Sequence, residues 1–348
     1  MIKVGGLVVL LVGAVAAGLW LSNALGAIGG APAGVSASLL ASPTPTAAAA
    51  LASPTLAPSA TQTLAQAASP TALPPVKAPT SAAGTATPPA STPTPAPSLT
   101  PDPQDWQQLP ITPQVAQSIL AIYQHGLALG NHPDAFSKVG DCNSLNPYFL
   151  SYFDRGGSAY NLGDYTSLQA VIDHFSGSFQ RDSLAVGNGF NTSALLSTFR
   201  ADPNQCNPDE TPLACEYRLH KPIIAIIAIG TDDYVGQAKF EANLRTIVED
   251  TIKNGTIPIL MTKMDDANQL HDNVEIARVA EAYHIPVANL WRALQPLPRH
   301  GMVDNTHPSG AVNAFQFTPF NLGYYGWPVR NLTVLQALQA VLAVINPS

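Results

Sequence analysis

The sequence predicts a three-layer α/β/α sandwich on a five-stranded parallel sheet, carried by the last 244 residues of a 348-residue chain. Three observations predict it. Short apolar runs alternate with stretches of helical spacing, turn residues follow each run, and Ile223-Ile-Ala-Ile-Ile-Ala-Ile229 is apolar on both faces. A strand apolar on both faces must be covered on both, as central parallel strands are by helices. Alternation of strand and helix is the pattern of βαβ units in an open sheet.

In chain order, Gln114 to Leu129 carries Val115, Ile119, Leu120, Ile122 and Leu127 at helical spacing and stops at Gly130. Strands are expected at Ala135 to Val139, Ser183 to Val186, Pro222 to Ile229, Thr256 to Thr262 and Ile285 to Ala288. Helices are expected near Leu168 to Phe175, Gln237 to Lys253, Asn273 to Tyr283 and Leu332 to Val344. Open sheets of this kind bind ligands beyond the carboxyl ends of their strands, so the loops after each strand are where chemistry is sought.

The first 104 residues are of another kind. After Met1-Ile-Lys3, residues Val4 to Ile28 form an uncharged apolar run of 25 residues, long enough to cross a hydrocarbon layer of about 30 Å. That length favours a retained membrane anchor over a signal peptide, whose apolar stretch is usually about 7 to 15 residues. Small residues at Ala31, Ala33 and Ala37 keep cleavage open. Lys3 on the short side holds that end in the cytoplasm, which sends the bulk of the chain outward. The expected location is therefore the extracellular side of the cytoplasmic membrane, anchored or secreted. From Ala31 to Gln104 the chain has 16 of its 32 prolines and only two charges, Lys77 and Asp102. Such a segment cannot bury enough apolar surface to offset its own ordering, and reads as an extended tether.

The region from Asp105 to Ser348 holds 22 acidic and 14 basic residues and no Lys/Arg cluster, which excludes the basic stripe that nucleic-acid binding needs. It also holds all three cysteines. Cys206 and Cys215 lie in one loop-like segment, Asp202-Pro-Asn-Gln-Cys to Thr-Pro-Leu-Ala-Cys215, and a local disulfide between them is the favoured pairing in an exported chain. Cys142 is then the odd thiol.

Three loops carry candidate chemistry. The first strand runs into Gly140-Asp141-Cys142-Asn143-Ser144. Taken alone, Cys142 reads first as a buried inert thiol; at a strand end facing a helix start it is also a candidate nucleophile. Ser144, two residues further on, reads as a loop or cap residue. The strand at Pro222 ends in Ile229-Gly230-Thr231-Asp232-Asp233, where the glycine lets backbone approach a ligand closely; a plain glycine turn with an acidic helix start is an equal reading. Near the end comes Asp304-Asn305-Thr306-His307, in which the carboxylate can accept the imidazole N–H and fix its tautomer. Arg299 and His300 sit close in sequence and are guessed to line the cleft.

Gly-Asp-Cys, Gly-Thr-Asp-Asp and Asp-x-x-His, in this order and each after a strand, resemble the block signature of the SGNH (GDSL-type) hydrolases, from about Ser137 to Pro308. The resemblance implies ester hydrolysis. It places the nucleophile at Cys142, where the family has serine, the base at His307 and the orienting acid at Asp304. It implies oxyanion donors at the backbone of Cys142 and at Gly189, with Gly187 as second choice. The third donor position, an asparagine in the family, falls on Asp232. Sulfur keeps a nucleophile. An ionised carboxylate at Asp232 can only accept hydrogen bonds and would repel an oxyanion. Two functions follow as expectations: a Cys-His-Asp esterase acting on a small ester or an acylated surface polysaccharide, or a catalytically silent relative that binds a glycan or cell-wall component.

No cofactor is expected. Gly187-Asn-Gly189-Phe lacks the third glycine of a dinucleotide loop, and there is no phosphate-loop lysine motif and no Gly-x-Ser-x-Gly elbow. Asp265, Asp266, His271 and Asp272 read as a solvated loop entering a helix, with no helix-spaced ligand pair, so no metal is expected.

Overall fold

The computed structural model describes residues 103–233, 239–264 and 270–346. The expected membrane segment and all but the last two residues of the expected tether lie outside them. So do Asp265, Asp266 and the side chain of His271.

Four parallel strands form one sheet in the order β1 (His132–Gly140), β2 (Pro222–Ala228), β3 (Ile257–Met261) and β4 (Val287–Ala288). The helices are α1 (Ile119–Ala128), α2 (Cys142–Leu145), α3 (Gln169–His174), α4 (Thr192–Leu195), α5 (Pro212–His220), α6 (Phe240–Lys253), α7 (Leu270–Tyr283), α8 (Leu290–Leu294), α9 (Pro319–Leu322) and α10 (Gly326–Ile345).

β2 shows why the sandwich has three layers. All seven of its residues are buried, and from Ile224 onward they alternate between two apolar clusters. Ile224, Ile226 and Ala228 pack with residues of α1, α3, α8 and α10. Ala225 and Ile227 pack with residues of α4, α5, α6 and α7. Each fully buried Ile contributes about 1.5 to 3 kcal/mol relative to exposure, so neither face can be left uncovered. α10 is long and apolar enough to cross a membrane, but it is largely enclosed in the first of these clusters.

The expected fifth strand, Ser183 to Val186, is not a strand. It touches the sheet at one parallel bridge, Val186 with Gly140, through Gly140 N–H to Ala185 O at 3.0 Å and Gly187 N–H to Gly140 O at 3.3 Å. Side chains take the other donors a ladder would need. Glu216 Oε2 accepts from the Leu184 N–H at 2.9 Å and Ser183 Oγ from the Ala185 N–H at 3.1 Å, and the chain turns there. The β-branched residues of this run are too few to outweigh that local bonding.

The segment read as a loop after Asp202 contains a helix, α5, with Thr211 accepting from the Ala214 N–H at its start and Pro212 in the first turn, the usual opening of a helix. Cys215 on α5 is joined to Cys206 by a disulfide, with Cα atoms 5.3 Å apart. Opening this nine-residue separation frees denatured-state entropy, so Cys206→Ser is expected to lower the unfolding free energy by about 2 to 3 kcal/mol in a denaturant titration.

Candidate active site

The parallel register sets the site. Gly140 pairs with Ala228 and Met261 with Ala288, so the loops leaving β1, β2 and β3 start at one rim. Gly140 is required there: a Cβ would lie 2.3 Å from the Ala228 carbonyl oxygen and 2.5 Å from Ser144 Oγ. The chain then turns at Asp141, which N-caps α2 by accepting from the Asn143 N–H at 3.0 Å. This cap sets Cys142 at the first helical position, half-buried, with its thiol free. Ser144 is buried within α2, donates to the Ala228 carbonyl and accepts from Arg330 Nη2 at 3.3 Å; it neither caps the helix nor faces solvent.

His307 reaches the thiol from the other end of the chain. Residues 302–308 form a closed loop, bridged between Met302 and Pro308 and by the Val303 N–H to His307 O at 2.9 Å. The following Ser309 accepts from the backbone N–H groups of Trp327 and Gly326 at the start of α10, which pins the loop to the core helix. Within it, Asp304 Oδ1 accepts from the backbone N–H groups of Thr306 and His307, both at 2.7 Å. Asp304 Oδ2 lies 3.0 Å from His307 Nδ1, and the far ring nitrogen, Nε2, lies 4.0 Å from Cys142 Sγ. Asn143 Nδ2 donates to the Thr306 carbonyl at 3.1 Å and so ties the histidine loop directly to α2. Burial alone would raise the Asp304 carboxyl, but those two N–H groups and the His307 ring hold it below the ordinary carboxylate range.

Sulfur, imidazole and carboxylate are thus in line. The charges around the sulfur oppose its ionisation: burial first, then the Asp141 and Asp232 carboxylates, push the Cys142 thiol up, while Lys263 and the Asn143 N–H pull it down more weakly. Asp232 is half-buried, and its backbone carbonyl accepts from Asn191 Nδ2 at 3.3 Å. Its neighbour Asp233 turns inward and accepts from the Thr192 hydroxyl at 2.5 Å and backbone N–H at 3.0 Å.

Gly189 sits in the turn that follows the single bridge to β1, at φ +67°, with nothing within 4 Å of where a Cβ would be. The Gly187 N–H is already given to Gly140 O, and among the described residues the Gly189 N–H has no hydrogen-bond acceptor. No hydrogen bond joins Gly189 to the triad among the described residues. Arg299 and His300 adopt left-handed backbone at φ +51° and +50° and are exposed; Arg299 Nη2 donates to Val303 O at 2.8 Å. They shape the turn into the histidine loop.

The sequence reading missed Lys263. It follows β3, its side chain is only 5% exposed, and its ammonium lies 3.0 Å from Asp141 Oδ2 and 2.6 Å from Thr231 Oγ1. The available signal was a lysine directly after a buried strand, in Met261-Thr-Lys263.

No family model matches the chain, and no curated protein matches it. Among solved structures it is similar to a GDSL-like lipase from Bacteroides thetaiotaomicron (13% identity over 65% of this chain and 99% of that one, TM-score 0.38). It is also similar to an acetylxylan esterase from Geobacillus stearothermophilus (15% identity, 63% and 96%, TM-score 0.37). A third is a psychrotrophic esterase from Pseudoalteromonas (14% identity, 60% and 98%, TM-score 0.37). Likeness at this level leaves the function to be read from the chain's own residues.

Two measurements check the geometry. Alkylation of Cys142 in the full chain, followed against pH, is expected to have its midpoint above that of an unstructured cysteine peptide run beside it; coincident midpoints would contradict the crowding by carboxylates. Gly140→Ala is expected to lower stability by about 1 to 3 kcal/mol, because backbone must move to admit the methyl group.

Proposed function

We propose that the protein is an SGNH-type ester hydrolase held on the outer side of a membrane by its N-terminal segment, with an acylated surface polysaccharide as its substrate class. The observation that supports it is the alignment of Cys142 Sγ, His307 and Asp304, at 4.0 Å and 3.0 Å, on loops at one rim of the sheet. The single apolar run before a long proline-rich tether supports the location.

The chemistry follows from the donor set. His307 Nε2 takes the thiol proton as sulfur attacks the ester carbonyl carbon. The imidazolium formed is stabilised by Asp304 through Nδ1–H. The carbon–oxygen bond of the ester breaks, His307 returns the proton to the departing alcohol, and a thioester remains on Cys142. Water, deprotonated by His307, then releases the acid and the thiol. The backbone N–H groups of Cys142 and Gly189 are the oxyanion donors. At 4.0 Å the sulfur–nitrogen distance is long for a resting pair, and such contacts commonly tighten when substrate binds.

A second reading has its own support. The Asp232 carboxylate faces the thiol closely enough to push it up, where a donor is wanted, and losing one oxyanion donor typically costs about 10²- to 10³-fold in rate. In that reading the cleft binds an acylated glycan or cell-wall component without cleaving it.

Hydrolysis of a small activated acetyl ester by the full chain separates the two. The esterase reading expects turnover that disappears in His307→Ala and Cys142→Ala and rises about 10²-fold in Asp232→Asn. Turnover indifferent to His307→Ala would overturn it. An inert parent that becomes active only as Cys142→Ser/Asp232→Asn would support the silent binder.

A further inference from the structure

Beneath the candidate nucleophile lies a charge that the mechanism above does not use. Lys263 is almost wholly buried, and a buried ammonium is costly unless paired and hydrogen-bonded. Its contacts are not those of a peripheral ion pair. Asp141 follows β1 and caps the helix that starts at Cys142; Thr231 follows β2 and precedes Asp232; Lys263 itself follows β3. One ammonium therefore joins the ends of three adjacent strands.

The backbone around it is built to hold it. The Lys263 N–H donates to Asn273 Oδ1 at 2.6 Å, and Asn273 Nδ2 donates back to Lys263 O at 3.1 Å, so α7 fixes where the side chain begins. Gly230, at φ +136°, makes room for the stem: a Cβ there would lie 3.0 Å from Lys263 Cδ and 3.1 Å from Asp272 Oδ2. The glycine of Gly-Thr-Asp-Asp thus serves a lysine side chain from inside.

We infer that Lys263 is a positioning residue for Cys142, holding the nucleophile loop through Asp141 and offsetting the carboxylates that crowd the thiol. This rests on the reading of Cys142 as the nucleophile.

The charged groups around this centre come from every neighbouring element. Asp141 lies on the loop after β1, Asp232 and Asp233 on the loop after β2, Asp272 on α7, His307 on the closed loop at 302–308 and Arg330 on α10. Burial alone would raise the Asp141 carboxyl; Lys263, the Thr231 hydroxyl and Arg330 reverse that and hold it low. Asp141 is therefore ionised beside the sulfur, and without the Lys263 charge its push on the thiol would be opposed less. Opposite charges within a few ångströms of a titrating group shift it by about 1 to 3 pH units.

The test is the pH midpoint of Cys142 alkylation by iodoacetamide in the full chain, where the other two cysteines are joined in the disulfide. Lys263→Gln is expected to move the midpoint upward, while Lys263→Arg, which keeps the charge, stays near the parent. A folded Lys263→Gln chain with an unmoved midpoint would overturn the inference. Should that variant fail to fold, Asp141→Asn is compared with Asp141→Asn/Lys263→Gln, in which no buried carboxylate is left unpaired at 141. The double variant is expected to titrate above the single one, and equal midpoints would overturn the inference. Alkylation needs no ester turnover, so a shifted midpoint in an inert protein supports Lys263 and counts only against the esterase reading.

Discussion

The parallel pairing of β1 with β2 is the constraint on which the site depends. It puts Gly140 opposite Ala228, and from that one register the loops bearing Cys142 and Asp232 must leave the sheet side by side. A shift by one residue would also turn each strand's apolar side chains to the other face, which β2, buried on both faces, resists from either side. The same packing that stabilises the domain therefore fixes the spacing of its reactive groups.

The histidine reaches this rim by different means. Its loop carries little apolar surface, and both His307 and Asp304 are exposed to about half their side-chain area. Rigidity comes from hydrogen bonds: two backbone N–H groups onto Asp304, one across the loop, two from α10 onto Ser309, and the Asn143 amide onto Thr306. The Asp304–His307 contact itself is solvent-exposed and adds little to stability; its value is directional.

Much of this was legible in the residues. The apolar run at Ile223, the glycines at the end of β1 and just after β2, the close spacing of Cys206 and Cys215 and the Asp-x-x-His spacing are local patterns with local causes, and the α/β layering and the disulfide were legible in them. What was not legible depends on contacts between distant residues. Whether Ser183 to Val186 would extend the sheet turned on Glu216, 32 residues away from Leu184. The role of Gly230 turned on the stem of Lys263, and that of Asp141 on its ammonium, 122 positions apart in the chain. Period and propensity carry no signal for such pairs. α5 is a different case: Thr211-Pro212 was a readable helix start, obscured by the turn residues before it.

The disulfide between Cys206 and Cys215 has a bearing on how the third cysteine survives folding. Three thiols admit three pairings. Closing the nine-residue separation costs less chain entropy than closing the 64 positions from Cys142 to Cys206, by about 1.7 kcal/mol. In an oxidant-rich medium that difference steers oxidation to the short ring by roughly twentyfold before any tertiary contact forms, and leaves the sulfur at the rim reduced by default.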